Sequence, residues 1–215
     1  MAQIIFDISA NTHKNDYDYY IKMMDELAKV NTGKHEIILK WQLFKASMTN
    51  IVANKNLFRE LAEWCWYNWG LKTTASIFDV ESLEWLLKVD DGVPYSLPFI
   101  KIACNPDYYW LVDKIPRKYE VYISRYSKYF TNHKDYIFHY DPYEDNIIQL
   151  ECVPLYPAYI TQYTNAIYIS DHTIGLDLWY RNKPIIWEKH FKLPDSTGFD
   201  AGDWAITPEE LSEIL

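Results

Sequence analysis

Glu36-Ile37-Ile38-Leu39-Lys40-Trp41-Gln42 is apolar through its centre and polar at its far end. A short apolar run of this kind reads as a buried strand. A helical segment follows, with Leu57, Leu61, Trp64 and Cys65 on one side and Gly70 past its end. Lys72 to Ile77 then reads as another strand. Strand, helix and strand in that order predict a parallel βαβ unit.

The pattern continues in both directions. Towards the N-terminus, Ile4 to Ile8 reads as a strand, and Asp16 is placed to cap a helix carrying Tyr17, Tyr20, Ile21, Met24, Leu27 and Ala28 at helical spacing. Towards the C-terminus, Asp79 is placed to cap a helix with Leu83, Leu86 and Leu87. Phe99 to Ala103, Glu120 to Ser124, Ile147 to Val153, Ala166 to Asp171 and Ile185 to Phe191 supply five more strands. Eight strands joined by right-handed crossovers favour closure into a compact α/β barrel, a (β/α)8 TIM barrel over residues 1–215 as a single domain. The connections 154–165 and 172–183 are only twelve residues each. A crossover with its helix needs ~10–12 residues or more. The outer helices after strands four to seven are therefore predicted to be shortened or replaced by loops. Segment 130–145, with Tyr136-Ile137-Phe138, is expected to hold an extra strand or a helix substitute.

Composition narrows the function classes. The net charge of -9 weighs against a nucleic-acid surface, which needs a basic patch. No apolar run approaches the ~20 residues that span a bilayer. The N-terminus has no basic segment or cleavage site of a signal peptide. Cys65, Cys104 and Cys152 are odd in number and far apart, which suits reduced thiols in a cytoplasmic protein. With only six glycines there is no glycine-rich phosphate loop. Nine Trp and nineteen Tyr leave two readings open, a sugar-binding surface or large side chains filling a small core.

Polar residues gather at the C-terminal ends of the strands, where a parallel barrel keeps its active site. Residues two apart on a strand share a face. Lys40 and Gln42 therefore point the same way, as do Ser170 and His172, and Glu188 and His190. Asp7, Lys101 and Ser124 stand on strands one, four and five. Together they would form a site for an anion and a metal. Each histidine alone also reads as structural. As a pair ending neighbouring strands, His172 and His190 with water can hold Mn²⁺, Mg²⁺ or Zn²⁺.

The strings themselves resemble the sialic acid synthase (N-acetylneuraminate synthase) family. Ile5-Phe6-Asp7-Ile8-Ser9-Ala10-Asn11 is similar to its opening strand, and Leu39-Lys40-Trp41-Gln42-Leu43-Phe44-Lys45-Ala46 to its VKFQxFKA strand. Thr74-Ala75-Ser76-Ile77-Phe78-Asp79 resembles STPFD, and Phe99-Ile100-Lys101-Ile102-Ala103-Cys104 resembles FKIAS. Tyr122-Ile123-Ser124 stands where the family has ILSTG. Glu151 to Pro157 resembles HCxxxYP, Ile169 to Gly175 resembles YSDHTxG, and Glu188-Lys189-His190-Phe191 matches EKHF. Gly198-Phe199-Asp200 and Thr207 to Leu211 resemble the GPD…TPEEL ending. The pieces run in order from residue 4 to residue 211, and SDHTxG with EKHF is the most specific pair.

The resemblance implies a transferase of carbohydrate biosynthesis. Such an enzyme condenses phosphoenolpyruvate with an N-acetylated amino sugar aldehyde such as N-acetylmannosamine, using Mn²⁺, Mg²⁺ or another divalent metal. It implies that His172 and His190 ligate the metal. Ser76, Lys101 and Ser124 would hold the phosphate, and Lys40 and Ser170 the carboxylate. Asp7 would act near the reacting carbons, and Gln42, Tyr156 and Asp200 would line the sugar pocket. The implied partners are small molecules, with no nucleic acid and no membrane, and a homodimer is an assembly the family allows.

The sequence also departs from the pattern. Asp7 is one carbon shorter than the family's Glu, Cys104 replaces a phosphate-binding Ser, and Asn105-Pro106 replaces a Gly-Glu-like continuation. Pro154 stands near a position that is often polar. The family commonly continues into an antifreeze-like domain, whereas this sequence stops at Leu215. Two alternatives stay open beside the synthase. One is a weakened or inactive barrel that binds a phosphorylated ligand or a protein partner. The other is a related carbon–carbon lyase or synthase for a different sugar.

Overall fold

The computed structural model of the protein describes residues 1–8, 17–43, 55–131, 136–137 and 146–215. Eight strands run β1 (Gln3–Asp7), β2 (Glu36–Gln42), β3 (Lys72–Ile77), β4 (Ile100–Ile102), β5 (Val121–Tyr126), β6 (Ile147–Cys152), β7 (Tyr168–Asp171) and β8 (Ile186–His190). Each pairs in parallel with the next, and β8 pairs in parallel with β1 to close the barrel. This is the (β/α)8 architecture read from the sequence.

The period-2 alternation of the strands explains the two cores. Ile5, Ile38, Phe99, Tyr122, Leu150 and Ile186 point inward and fill the barrel. The Phe99 and Tyr122 rings stack face to face, 4.0 Å between centroids. Ile4, Phe6, Leu39 and Trp41 point outward instead. They pack against Tyr20, Met24 and Leu27 of helix α1 (Tyr17–Val30) and Phe58 and Leu61 of helix α2 (Lys55–Trp69).

The first three connections carry full helices. Gly70 ends α2 at φ 66°, a left-handed value that glycine adopts without a Cβ clash. Asp79 caps α3 (Val80–Asp90), its side chain accepting from Ser82 N while Ser82 reaches back to the cap. The proposed Asp16 cap lies outside the described residues. Later connections are trimmed, as their length requires. A nine-residue 3₁₀ helix spans Pro106–Lys114, a single 3₁₀ turn spans Ile160–Gln162, and α4 (Asp177–Asn182) has six residues. Between β5 and β6 the described part is a parallel bridge from Tyr126 to Ile137, and the rest of segment 130–145 is largely outside the described residues. After β8, a 3₁₀ turn (Phe199–Ala201) leads to α5 (Pro208–Leu211). Among the described residues no helix is long and apolar enough to cross a membrane.

Candidate active site

At the C-terminal end of the barrel the inward positions change from apolar to polar on six of the eight strands. They surround a cavity of about 290 Å³. Its wall includes ten of the sequence-derived site residues: Asp7, Lys40, Gln42, Ser76, Lys101, Ser124, Tyr156, Ser170, His172 and His190. Asp200 does not line the cavity. It is buried beside it, with Oδ2 3.4 Å from Gln42 Nε2 and Oδ1 3.5 Å from His190 Nδ1.

Two lysines form the floor, 2% and 1% exposed for Lys40 and Lys101. Lys40 Nζ lies 2.6 Å from Asp7 Oδ2 and donates to Ser76 Oγ at 3.1 Å. Register explains this: Asp7 pairs with Lys40 across β1–β2, and Gln42 with Ser76 across β2–β3. Lys101 Nζ donates to Ser124 Oγ at 2.7 Å and to the Ile102 carbonyl at 3.1 Å.

Between the lysines stands Glu188, which the sequence pattern placed among the converging polar residues without a role of its own. Its Oε1 is 3.9 Å from Lys40 Nζ and its Oε2 is 3.5 Å from Lys101 Nζ, while Ser170 donates to Oε1 at 3.1 Å. Burial alone would raise its pKa, but Lys101 and Lys40 outweigh burial and hold it down at about 2. Burial also works against the charge on both lysines. For Lys40, the Asp7 and Glu188 carboxylates overcome it and leave the pKa raised. Lys101 has less compensation, and its pKa is lowered. Strand alternation placed Glu188 between Ile186 and His190 on the inward face of β8, and its contact with both lysines appears only in three dimensions.

The two histidines flank this floor. Their ring centroids are 5.6 Å apart, within reach of one shared ion. His172 Nδ1 is 2.7 Å from the Val153 carbonyl. As the donor in that contact, Nδ1 carries the proton and leaves the Nε2 lone pair available as a ligand. His190 Nδ1 is buried without a hydrogen-bond partner, although Asp200 Oδ1 is 3.5 Å and Asp7 Oδ2 4.0 Å away. Among the described residues no cluster of three or more His, Cys, Asp and Glu side chains is gathered to hold a metal. The protein offers two imidazoles, so water or substrate oxygen would complete the coordination of a bound ion. Tyr156 covers the pair, its ring 4.2 Å from His172 and 5.8 Å from His190.

The site is therefore a polar pit with buried cations at its base, hydroxyls around them and imidazoles at one wall. No family model and no curated protein sequence matches the chain. Solved structures do. Spore coat polysaccharide biosynthesis protein E from Chromobacterium violaceum superposes with a TM-score of 0.73 at 17% identity, over 99% of this chain and 72% of that one. Phospho-2-dehydro-3-deoxyheptonate aldolase (DAHP synthase) from Thermotoga maritima superposes with a TM-score of 0.62 at 11% identity, over 99% of this chain and 66% of that one. These likenesses show the fold. They agree with the barrel closure described above.

The remaining wall holds residues that the sequence pattern did not assign, including Phe78, Tyr108 and Cys152. Cys152 is fully buried, with Sγ 3.9 Å from His172 Nδ1. The departures Cys104, Asn105 and Pro154 also face the cavity, so they alter the site itself.

Proposed function

We propose that the protein is a metal-dependent transferase that condenses phosphoenolpyruvate with an amino sugar aldehyde, giving a sialic-acid-type 2-keto acid and phosphate. The observation that carries this reading is the buried pair Lys40 and Lys101, set among Ser76, Ser124 and Ser170 at the floor of a small cavity. Buried ammonium groups with adjacent hydroxyls favour a compact anion. The two structural neighbours, a spore coat polysaccharide biosynthesis protein and a phospho-2-dehydro-3-deoxyheptonate aldolase, support the same direction.

In this reading Lys101, Ser76 and Ser124 hold the phosphate, and Lys40 and Ser170 hold the carboxylate. The methylene carbon of phosphoenolpyruvate attacks the aldehyde carbon, and the aldehyde oxygen takes the proton released by the water that adds at C2. Positive charge develops at C2, and Asp7 is the carboxylate placed to stabilise it and to orient the water that adds there. Loss of phosphate leaves the 2-keto acid. Asp7 is engaged by Lys40 and Gln42, which fix its position for that task.

A divalent cation such as Mn²⁺ fits the wall formed by His172 Nε2 and His190. When bound there it would polarise the aldehyde. Charge balance supports it. Asp7, Glu188 and Asp200 outnumber Lys40 and Lys101, so a substrate with about three negative charges gains from an added cation. Three free cysteines, Cys65, Cys104 and Cys152, support a cytoplasmic setting.

A second reading, a barrel that binds a phosphorylated ligand without turnover, is favoured by Cys104 and Pro154 in the cavity wall. One experiment separates the two: incubation with phosphoenolpyruvate, Mn²⁺ and a panel of aldoses, followed by phosphate release and product mass. Phosphate release with a new 2-keto acid supports the synthase. Binding of phosphoenolpyruvate without turnover supports the second reading.

A further inference from the structure

Asp171 and Lys189 alternate with the inward-facing residues of β7 and β8, so both point to the outside of the barrel. They are partners in the β7–β8 register, and Lys189 Nζ lies 3.2 Å from Asp171 Oδ2. Both side chains are 0% exposed. Each directly precedes a candidate metal ligand, His172 or His190. No step of the proposed reaction uses this pair.

The pair holds more than itself. Asp171 Oδ1 accepts from Thr173 N at 2.7 Å and from Thr173 Oγ1 at 2.8 Å. Asp171 Oδ2 accepts from Trp187 Nε1 at 3.0 Å. Lys189 Nζ donates to the Thr173 carbonyl at 2.7 Å. Thr173 is therefore gripped through its amide, hydroxyl and carbonyl, with His172 between it and Asp171. The β7–β8 ladder cannot do this, because its register ends at Asp171 and Lys189. Beyond it, His172 N donates to Tyr163 Oη at 3.1 Å, and the His172 carbonyl accepts from Ala158 N at 2.8 Å. Those two bonds tie His172 to the connection that precedes β7. The Asp171–Lys189 pair ties it instead to the strand that carries His190.

Energetics point to geometry as the purpose of the pair. A buried ion pair loses its water on both sides, and apolar residues of similar volume are often as stable or more so. What the pair adds is direction. A carboxylate with four fixed donors, and an ammonium with a fixed carbonyl acceptor, select one arrangement of the two strand ends. The imidazole centroids stand 5.6 Å apart, and a shared ion needs that separation kept. His172 Nδ1 must also stay 2.7 Å from the Val153 carbonyl for Nε2 to keep its lone pair free.

We propose that Asp171 and Lys189 are positioning residues, and that their buried ion pair, closed over Thr173, sets the spacing and ring orientation of His172 and His190 for one divalent cation. This rests on the metal site of the synthase reading and adds its support from outside the barrel. Three readouts test it. They are Mn²⁺ alone by electron paramagnetic resonance, phosphoenolpyruvate without metal by calorimetry, and the His172 tautomer by nitrogen nuclear magnetic resonance. Asp171→Asn combined with Lys189→Gln removes both charges and keeps polar side chains of similar shape. The double variant is expected to weaken Mn²⁺ by about tenfold and to leave phosphoenolpyruvate binding unchanged. It is also expected to turn His172 from a single Nδ1–H tautomer into a mixture. Unchanged Mn²⁺ affinity, or equal weakening of Mn²⁺ and phosphoenolpyruvate, would overturn the proposal and leave the pair a merely structural one. If the wild type binds no Mn²⁺ or no phosphoenolpyruvate, the synthase reading falls and the tautomer alone decides. A mixture confined to the variant then sustains the positioning role, and one tautomer in both proteins overturns it. Thr173→Val cuts one tether and keeps the charges, so it answers the question if the double variant does not fold. It is expected to weaken Mn²⁺ by about threefold, and unaltered binding there overturns the proposal as well.

Discussion

Glu188 Oε2 lies 3.5 Å from Lys101 Nζ and is buried without a hydrogen-bond partner. The same carboxylate lies 3.9 Å from Lys40, so one anion separates two buried cations. Without it Lys101 would lose its carboxylate partner, whereas Lys40 would keep Asp7 at 2.6 Å. Glu188→Gln keeps the shape and removes the charge. It is expected to cost about 3–5 kcal/mol of stability, the range for breaking a buried ion pair. Urea unfolding monitored by tryptophan fluorescence measures it, and a loss below 1 kcal/mol would remove Glu188 from this role.

The pH dependence of that stability has a defined sign. The pKa of Glu188 is depressed in the fold, from 4.5 to about 2. Its contribution is fully present above pH 4.5 and is lost as pH falls towards 2, by about 3 kcal/mol in all. The stability difference between wild type and Glu188→Gln should therefore shrink over that window. A difference that stays constant from pH 6 to pH 2.5 contradicts the assignment.

Lys101→Met preserves the volume of the side chain and removes its charge. Loss of a buried charge-assisted contact to phosphate should weaken phosphoenolpyruvate by about a hundredfold. Calorimetric titration of the folded variant reads this. Comparable affinity in the variant would show that the anion binds elsewhere.

His172→Ala and His190→Ala each remove one of the two imidazoles. Each is expected to weaken Mn²⁺ by about a hundredfold or more, since a lost partner of a ligating histidine already costs 10–100-fold. Electron paramagnetic resonance of free Mn²⁺ gives the bound fraction without any turnover. Unaltered Mn²⁺ binding in both variants would exclude this pair as the metal site.

Trp41 tests the outer core. Its ring sits 4.6 Å from Tyr20 and 5.5 Å from Phe58, and its Nε1 is buried without a partner. Trp41→Ala is expected to cost about 3–5 kcal/mol by leaving a cavity. Trp41→Phe should cost less than about 1.5 kcal/mol, because it keeps most of the contact and removes an unsatisfied donor. Thermal unfolding of the two variants checks the order.

Alternation made the barrel legible. Ile5 and Asp7, Ile38 and Lys40, and Ile186 and Glu188 each place an apolar inward residue below a polar one. That pattern reveals both the sheet and its open end. The strand boundaries shift by only a few residues, as for β4, which pairs over Ile100–Ile102 rather than from Phe99 to Ala103. Glu188 was visible on the inward face, but its role depends on two lysines from distant strands, and spacing along one strand does not show that. Asp200 and Phe199 sit in a turn, where neither helical nor strand period applies. The link from β5 to β6 carries neither period clearly, and it is also the stretch that lies largely outside the described residues.

Binding of phosphoenolpyruvate by the lysine floor is the proposed event on which the function rests. Calorimetric titration of phosphoenolpyruvate into the wild-type protein with saturating Mn²⁺ tests it most directly, with Lys101→Met as the matched control. One site per chain is expected in the wild type, and loss of that site in the variant. No binding in the wild type, or equal binding in the two proteins, would contradict it.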